Sequence, residues 1–453
     1  MTPIQFRLRF FRLALVNILA NLLVPLAGLV DTAFLGHLAD IRHLAGVALA
    51  TVLFNYIYWT FGFLRMATTG TTAQAQGRQD DWLVMLIGVR NASIAIVLGG
   101  IILLLQYPIR ELGFVLLSAT PEVKASGQAY YDAMIWGAPA TLLNFVLIGW
   151  FLGREQGGKV FVLSAVSSGA NVGLDYWFIT QLGWASAGAG AATAMSQYLA
   201  VWVGLGFIWY ELPQLRSRLA PTAVFAPSSS LMQQIIDPVA LKAAFTLNRD
   251  ILIRTFALVS TFALFTNISA TLGTVILAAN TVLMQVVSLA AYFVDGLAFA
   301  TESFAGTFRG QRSIAQLSSL VRLAGSISLL LGLAFAVGFI LLPESLFGLL
   351  TSHADVLAQI RRSVWWLLPV LGFGSLAYML DGYFLGLTEG RALRQSTLAA
   401  AIVGCVPMAI AAWQFPSTQL LWFALTLFMA TRAITLGWRV PRTLVDDTYS
   451  NPD

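Results

Sequence analysis

Four oxygen-bearing side chains set in apolar sequence are the first candidates for chemistry: Asp31 in Gly28-Leu-Val-Asp31-Thr32, Asn171 and Asp175 in Asn171-Val-Gly-Leu-Asp175, and Thr193. Asn171 and Asp175 are four residues apart, so they share one face of a helix. Two carboxylates and two neutral oxygens at one depth in a membrane could share a single proton, because burial and a like-charged neighbour both disfavour the doubly ionised pair. They could equally hold a hard cation such as sodium. The bland alternative is that each acid snorkels to a nearby interface. A matched depth for all four weakens it.

The elements that would position these groups follow from composition. The chain has 453 residues, 58% hydrophobic and only 10% charged, with a mean hydropathy of +0.77. A soluble chain carries about 25% charged residues, so a soluble enzyme or nucleic-acid binder is excluded. One cysteine, Cys405, allows no internal disulfide and no cysteine metal motif. Stretches of roughly 20 apolar residues, the length that crosses a bilayer, begin near residues 13, 44, 82, 127, 160, 187, 241, 277, 323, 363, 396 and 419. The expected fold is an all-α polytopic membrane protein of twelve spans. The N-terminal MTPIQFRLRF has no short apolar core followed by a cleavage site and reads as the start of a first span. The longest polar interruption, Glu211 to Lys242 with Pro213, Pro221, Pro227 and a serine run, reads as a linker. Residues 1–210 then form an N-terminal half, 211–240 the linker, 241–440 a C-terminal half and 441–453 a tail. In this frame Asp31, Asp175 and Thr193 all lie roughly 8 Å inside the outer face, at 1.5 Å of helix per residue.

Orientation comes from basic residues in short loops. With both termini cytoplasmic, that side collects sixteen of the 26 Lys and Arg residues, among them Arg7, Arg9, Arg12, Arg309, Arg312, Arg439 and Arg442. The opposite side has five, and five lie within spans. The net charge of +5 therefore reflects topology, not a nucleic-acid partner.

The chain also repeats itself. A shift of 233 residues aligns Gly149-Trp-Phe-Leu-Gly153-Arg-Glu-Gln-Gly157 with Gly382-Tyr-Phe-Leu-Gly386-Leu-Thr-Glu-Gly390, and pairs Ala67 with Ala300, Thr68 with Thr301 and Gly77 with Gly310. Each copy holds six spans, an even number, so both enter from the same side. Parallel repeats of this kind occur in secondary transporters that rock about a central site; a duplicated scaffold without transport is the alternative. The same shift maps Asp31 to Leu264 and Asp175 to Met408. Both acids are peculiar to the first copy.

The stretches Gly28-Leu-Val-Asp31-Thr-Ala-Phe-Leu-Gly36-His37, Phe63-Leu-Arg65-Met-Ala-Thr-Thr-Gly70 and Leu247-Asn-Arg249-Asp250 resemble the multidrug and toxic compound extrusion (MATE) transporters, specifically the DinF-like branch. The resemblance covers essentially the whole chain. It implies twelve helices in two six-helix pseudo-symmetric lobes arranged as a V, and antiport of small organic compounds, lipophilic cations first, against protons or sodium. Protons are the first expectation. It further implies that Asp31, Asn171, Asp175 and Thr193 form the ion site and that α-helical bending at Pro25 accompanies protonation. The C-lobe sodium carboxylates of other branches are less clearly placed here. A monomer in the inner membrane, with no cofactor, no nucleic acid and no metal other than sodium at those four residues, completes the expectation. A sodium-coupled antiporter, an organic-anion exporter and a flippase for lipid-linked sugars are the alternatives.

Other charges inside the spans carry two readings each. Asp250 and Arg254, four residues apart, are expected to neutralise each other. Arg65, Arg249, Asp295, Glu302 and Asp381 are expected to line a substrate cavity, with inter-helix ion pairing as the alternative. His37, His43 and His353 are expected to be solvated in outer loops. Gly153-Arg-Glu-Gln-Gly-Gly158-Lys159-Val160 has Val where a phosphate-binding loop needs Ser or Thr, which argues against an ATP-driven pump.

Overall fold

A computed structural model describes residues 3–38, 40–219, 231–348, 350–351 and 353–445, and these are helical almost throughout. In chain order the long helices are α1 (Pro3–Gly36), α2 (Arg42–Gly77), α3 (Asp81–Leu104), α4 (Pro121–Gly153), α5 (Gly157–Asp175) and α6 (Ala185–Leu219), then α7 (Pro238–Thr271), α8 (Thr274–Gly310), α9 (Ile314–Leu341), α10 (Ala354–Gly386), α11 (Gly390–Gln414) and α12 (Thr418–Gly437). Eleven of the described helices are long and apolar enough to cross a membrane. The exception, α5, carries Lys159, three serines, Asn171 and Asp175 in nineteen residues. Its polarity is what lowers it below the others, and it is the helix that brings two of the candidate site residues.

The helices cluster into two units, Met1–Ile18 with Phe245–Asp453, and Leu19–Ala244. Helix α1 therefore changes allegiance part-way along its length. Its first turns join the later unit through Phe6 and Phe10, whose rings lie 5.7 and 6.1 Å from that of Phe304 on α8. A Cβ at Gly296 would come within 2.7 Å of the Ile18 backbone nitrogen, so only glycine allows this approach. The core of that unit gathers Phe265, Leu283, Val287, Phe347, Trp422 and Phe428, all buried.

The internal repeat is visible in the backbone. Gln79 and Arg312, and again Glu155 and Thr388, are left-handed residues with φ between 54° and 60°, and each pair is separated by the 233-residue shift. A Cβ at Gly149 would lie 2.5 Å from the Arg65 carbonyl oxygen, and one at Gly382 would lie 2.3 Å from that of Ala298, the residue equivalent to Arg65. Gly153 and Gly386 repeat the approach against Thr69 and Glu302. The Gly-x-x-x-Gly spacing thus lets α4 close on α2 in one unit and α10 on α8 in the other, the use small residues have in membrane helix packing.

The expected linker begins and ends as helix. Residues 211–219 continue α6 through Pro213. A short helix, Leu231–Ile235, is fastened to α3 by Trp82 Nε1 donating to Gln234 Oε1 (2.9 Å) and by Arg90 Nη2 donating to the Gln234 carbonyl (2.7 Å). Residues 220–230, and 446–453 of the expected tail, lie outside the described residues.

Candidate functional site

The site is built where α5 and α6 run side by side in the Leu19–Ala244 unit. The start of α6, Ala185-Ser-Ala-Gly-Ala-Gly-Ala-Ala-Thr193-Ala, is a run of small residues that permits close approach. Two polar rungs join the helices: Gln197 Nε2 donates to Ser167 Oγ at 2.9 Å, and Asn171 Nδ2 donates to Thr193 Oγ1 at 3.2 Å. Each rung advances four residues along α5 and retreats four along α6. The next would pair Asp175 with Ala189, which has no hydrogen-bonding side chain. Asp175 is therefore left by α6 without a donor.

It meets Asp31 instead. The two carboxyl groups lie within hydrogen-bonding reach of each other. Asp175 is fully buried, and neither of its oxygens nor Asp31 Oδ1 has a hydrogen-bond donor. Neither acid has a cationic partner among the described residues. Phe34, three residues after Asp31, faces Tyr176, the neighbour of Asp175, with ring centroids 6.4 Å apart, so α1 is seated against the end of α5. Immediately after Asp175 the helix widens into a π-helical turn, Tyr176–Gln181, a distortion that occurs preferentially at functional positions.

One group that sequence reading did not single out joins the cluster. The buried Tyr130 of α4 stands beside Asp31, Thr193 and Thr51. Gly190 makes this possible, since a Cβ there would fall 2.4 Å from the Tyr130 carbonyl oxygen. Elsewhere in the same unit, His43 Nδ1 is 3.1 Å from Ser126 Oγ and 3.3 Å from Ser186 Oγ. His43 is thus half-buried, not solvated as its place before a span implied; His37 and His353 are exposed. Pro25 sits inside α1, six residues before Asp31.

The MatE family matches residues 17–177 and again residues 251–411, two copies whose starts are 234 residues apart. The chain belongs to the MatE family. It is 33% identical to DNA damage-inducible protein F of Escherichia coli K12, over 95% of this chain and 91% of that protein. Among solved structures it resembles an outward-facing multidrug resistance MATE family transporter of the MOP superfamily (TM-score 0.82, 21% identity, 96% of this chain and 95% of that one). It likewise resembles MATE in the bent conformation (TM-score 0.82, 19% identity, 96% and 95%). This MATE chain is a multi-pass membrane transporter with a DinF-like sequence, and not an enzyme.

The remaining charged candidates of this MATE chain are placed quite differently. Asp381, expected as cavity lining, is 3% exposed in the later unit, and its Oδ2 accepts from both Arg254 and Arg432. Arg254 therefore does not pair with Asp250 four residues earlier. Asp250 accepts instead from Arg394 Nη1 at 2.6 Å and from Arg249 Nη2 at 3.3 Å. The guanidinium of Arg432 also lies over the rings of Tyr378 and Phe428 at 5.4 and 5.5 Å. Glu302 is fully buried at the Gly386 crossing, Asp295 is half-buried on α8, and Arg249 keeps 60% of its side chain exposed. Arg65 is half-buried on α2 of the other unit. Lys159 of the loop that resembles a phosphate cradle is committed to Glu211, which also accepts from Arg154 Nη1 at 2.8 Å.

Proposed function

We propose that this protein is a multidrug efflux antiporter that exports small organic compounds, lipophilic cations among them, in exchange for protons carried by the Asp31–Asp175 pair. The observation that carries the reading is the pair itself: two carboxyl groups within hydrogen-bonding reach, enclosed by helices, with no cation to neutralise them. Such a pair avoids juxtaposed charges only by holding a proton or a bound cation, and it exchanges one for the other when its surroundings change. The neutral neighbours favour the proton. Asn171 presents its amide nitrogen to Thr193, and Thr193 turns its own hydrogen to the Ala189 carbonyl (3.0 Å). The Thr193 hydroxyl is thus engaged both as acceptor and as donor, whereas a hard cation recruits a full shell of oxygens. Multidrug transport by the similar outward-facing MATE structure supports the substrate class.

Pro25 supplies the means by which the pair acts on the helix. Proline withholds one backbone donor and clashes with the preceding turn, which weakens α1 at that point. Asp31 is less than two turns further on, so its hydrogen bonds bias a bend there when it gains or loses a proton. One of the structures this chain resembles is described as bent. In this reading both termini lie in the cytoplasm, with Arg7, Arg9, Arg12, Arg439 and Arg442 at that face of an inner membrane.

Flux of cationic and anionic dyes from proteoliposomes, driven by a pH jump or by a sodium jump at constant pH, tests the function. The expected result is efflux of cationic dyes under the pH jump alone. Equal drive by sodium would refute proton coupling, and spin-label distances across Pro25 that stay constant between low and high pH would refute the bend.

A further inference from the structure

The unit containing Met1–Ile18 and Phe245–Asp453 has a basic recess of about 400 Å³ that plays no part in the site above. Phe6 and Arg7 of α1 line it, together with Gln316, Ser319, Arg322 and Ser326 of α9. Ser319, Arg322 and Ser326 follow at intervals of three and four and so share one face of α9. Arg7 and Arg322 are both exposed, and neither has a carboxylate partner among the described residues; Arg322 Nη2 donates to Ser318 Oγ at 2.9 Å. Gln316 Oε1, in contrast, is buried with no donor. The recess therefore offers two forked cations and one unsatisfied acceptor, while the Ser319 and Ser326 hydroxyls donate to the Ala315 and Arg322 carbonyls of their own helix.

Its surroundings indicate what would occupy it. Four-residue steps along α1 lead from Arg7 to Phe11 and Leu15, which are 46% and 57% exposed. The same steps along α9 lead from Arg322 through Ser326 to Leu330, 68% exposed. Both helices thus pass from a basic end to an exposed apolar flank one to two turns deeper, the order in which a bilayer lipid presents a phosphate and then acyl chains. Guanidinium groups match phosphate oxygens with paired donors. We infer that the recess binds an anionic phospholipid, its phosphate shared by Arg7 and Arg322, a headgroup hydroxyl donating to Gln316 Oε1, and its chains lying along Phe11, Leu15 and Leu330. Free phosphate would satisfy the arginines and leave the apolar flank unused.

The test is native mass spectrometry and thermal unfolding of the full chain in neutral detergent, with phosphatidylglycerol, phosphatidylcholine or inorganic phosphate added. The wild type is expected to retain phosphatidylglycerol and to be stabilised by it, and to respond to neither of the others. Loss of both basic groups in Arg7→Gln/Arg322→Gln is expected to weaken phosphatidylglycerol binding by roughly tenfold or more, while Arg78→Gln, in the other unit, leaves it unchanged. Arg7→Lys/Arg322→Lys keeps the charges, loses the forks, and is expected to fall in between, which keeps the test readable if the glutamine pair folds poorly. Full binding by the lysine or glutamine pair, or displacement of the lipid by inorganic phosphate, would overturn the inference.

Discussion

The two halves of this chain share a scaffold and differ in how they treat buried charge. In the Leu19–Ala244 unit, Asp31 and Asp175 face each other without a cation. In the other unit Asp381 is clasped by Arg254 and Arg432, and Asp250 by Arg249 and Arg394. The repeat makes the contrast sharper, because positions equivalent to Asp31, Asn171 and Asp175 are Leu264, Gly404 and Met408, while Thr193 is matched by Thr426. A carboxylate held by two guanidinium groups has its charge balanced by side chains that never leave. An unpaired one must take its balance from solution. The first arrangement fixes structure and the second can be cycled.

The largest expected effect separates these roles by stability. Asp381→Asn removes the acceptor of two buried guanidinium groups and should destabilise by about 3–5 kcal/mol. Asp31→Asn removes a charge with no partner and should stay within about 1 kcal/mol of wild type, because no paired cation is orphaned. Reversible unfolding in mixed micelles measures both. Equal costs for the two variants would erase the distinction.

A second comparison asks whether the scaffold is as symmetric as the backbone indicates. Gly149→Ala and Gly382→Ala each drive a methyl group into a carbonyl of the facing helix, at Arg65 and Ala298 respectively. Each should cost about 1–3 kcal/mol, the usual range for overpacking, and the two should agree. A cost in one half alone would show that the duplicated helix crossing is not energetically duplicated.

The smallest effect uses the one of the four site positions that stays polar in both halves. Thr193 accepts from Asn171, whereas Thr426 Oγ1 bonds only back to the Trp422 carbonyl within its own helix (3.0 Å) among the hydrogen bonds described. Thr193→Val should therefore cost about 1 kcal/mol, one ordinary hydrogen bond, and slow dye efflux several-fold. Thr426→Val should leave efflux unchanged. Parity between them in the flux assay would mean that the Asn171–Thr193 rung serves packing alone.

Much of this was legible in the sequence, and the reasons differ by feature. Apolar runs and the Gly149/Gly153 and Gly382/Gly386 spacing announce helices and their duplication, because both follow from local composition. The four-residue interval announces that Asn171 and Asp175 share a face. Tyr130 and Thr51 were not legible, since a tyrosine near the end of a span reads equally well as an interfacial residue. The Arg254–Asp381–Arg432 cluster was not legible either: its members are 127 and 51 residues apart, while Asp250 and Arg254 offered a local pairing that the packed structure does not make. Short-range spacing rules miss partners brought together by helix packing.

Proton release on substrate addition is the most direct test of the central claim, that the unpaired acids of one unit carry the coupling and the paired acids of the other do not. Purified protein in weakly buffered detergent with a pH-indicating dye, mixed with a cationic substrate, should release protons in the wild type and in Arg394→Lys, which keeps Asp250 paired. Release should vanish in Asp31→Asn and in Asp175→Asn. Undiminished release from both asparagine variants, or its absence from the wild type while substrate still binds, would contradict the account.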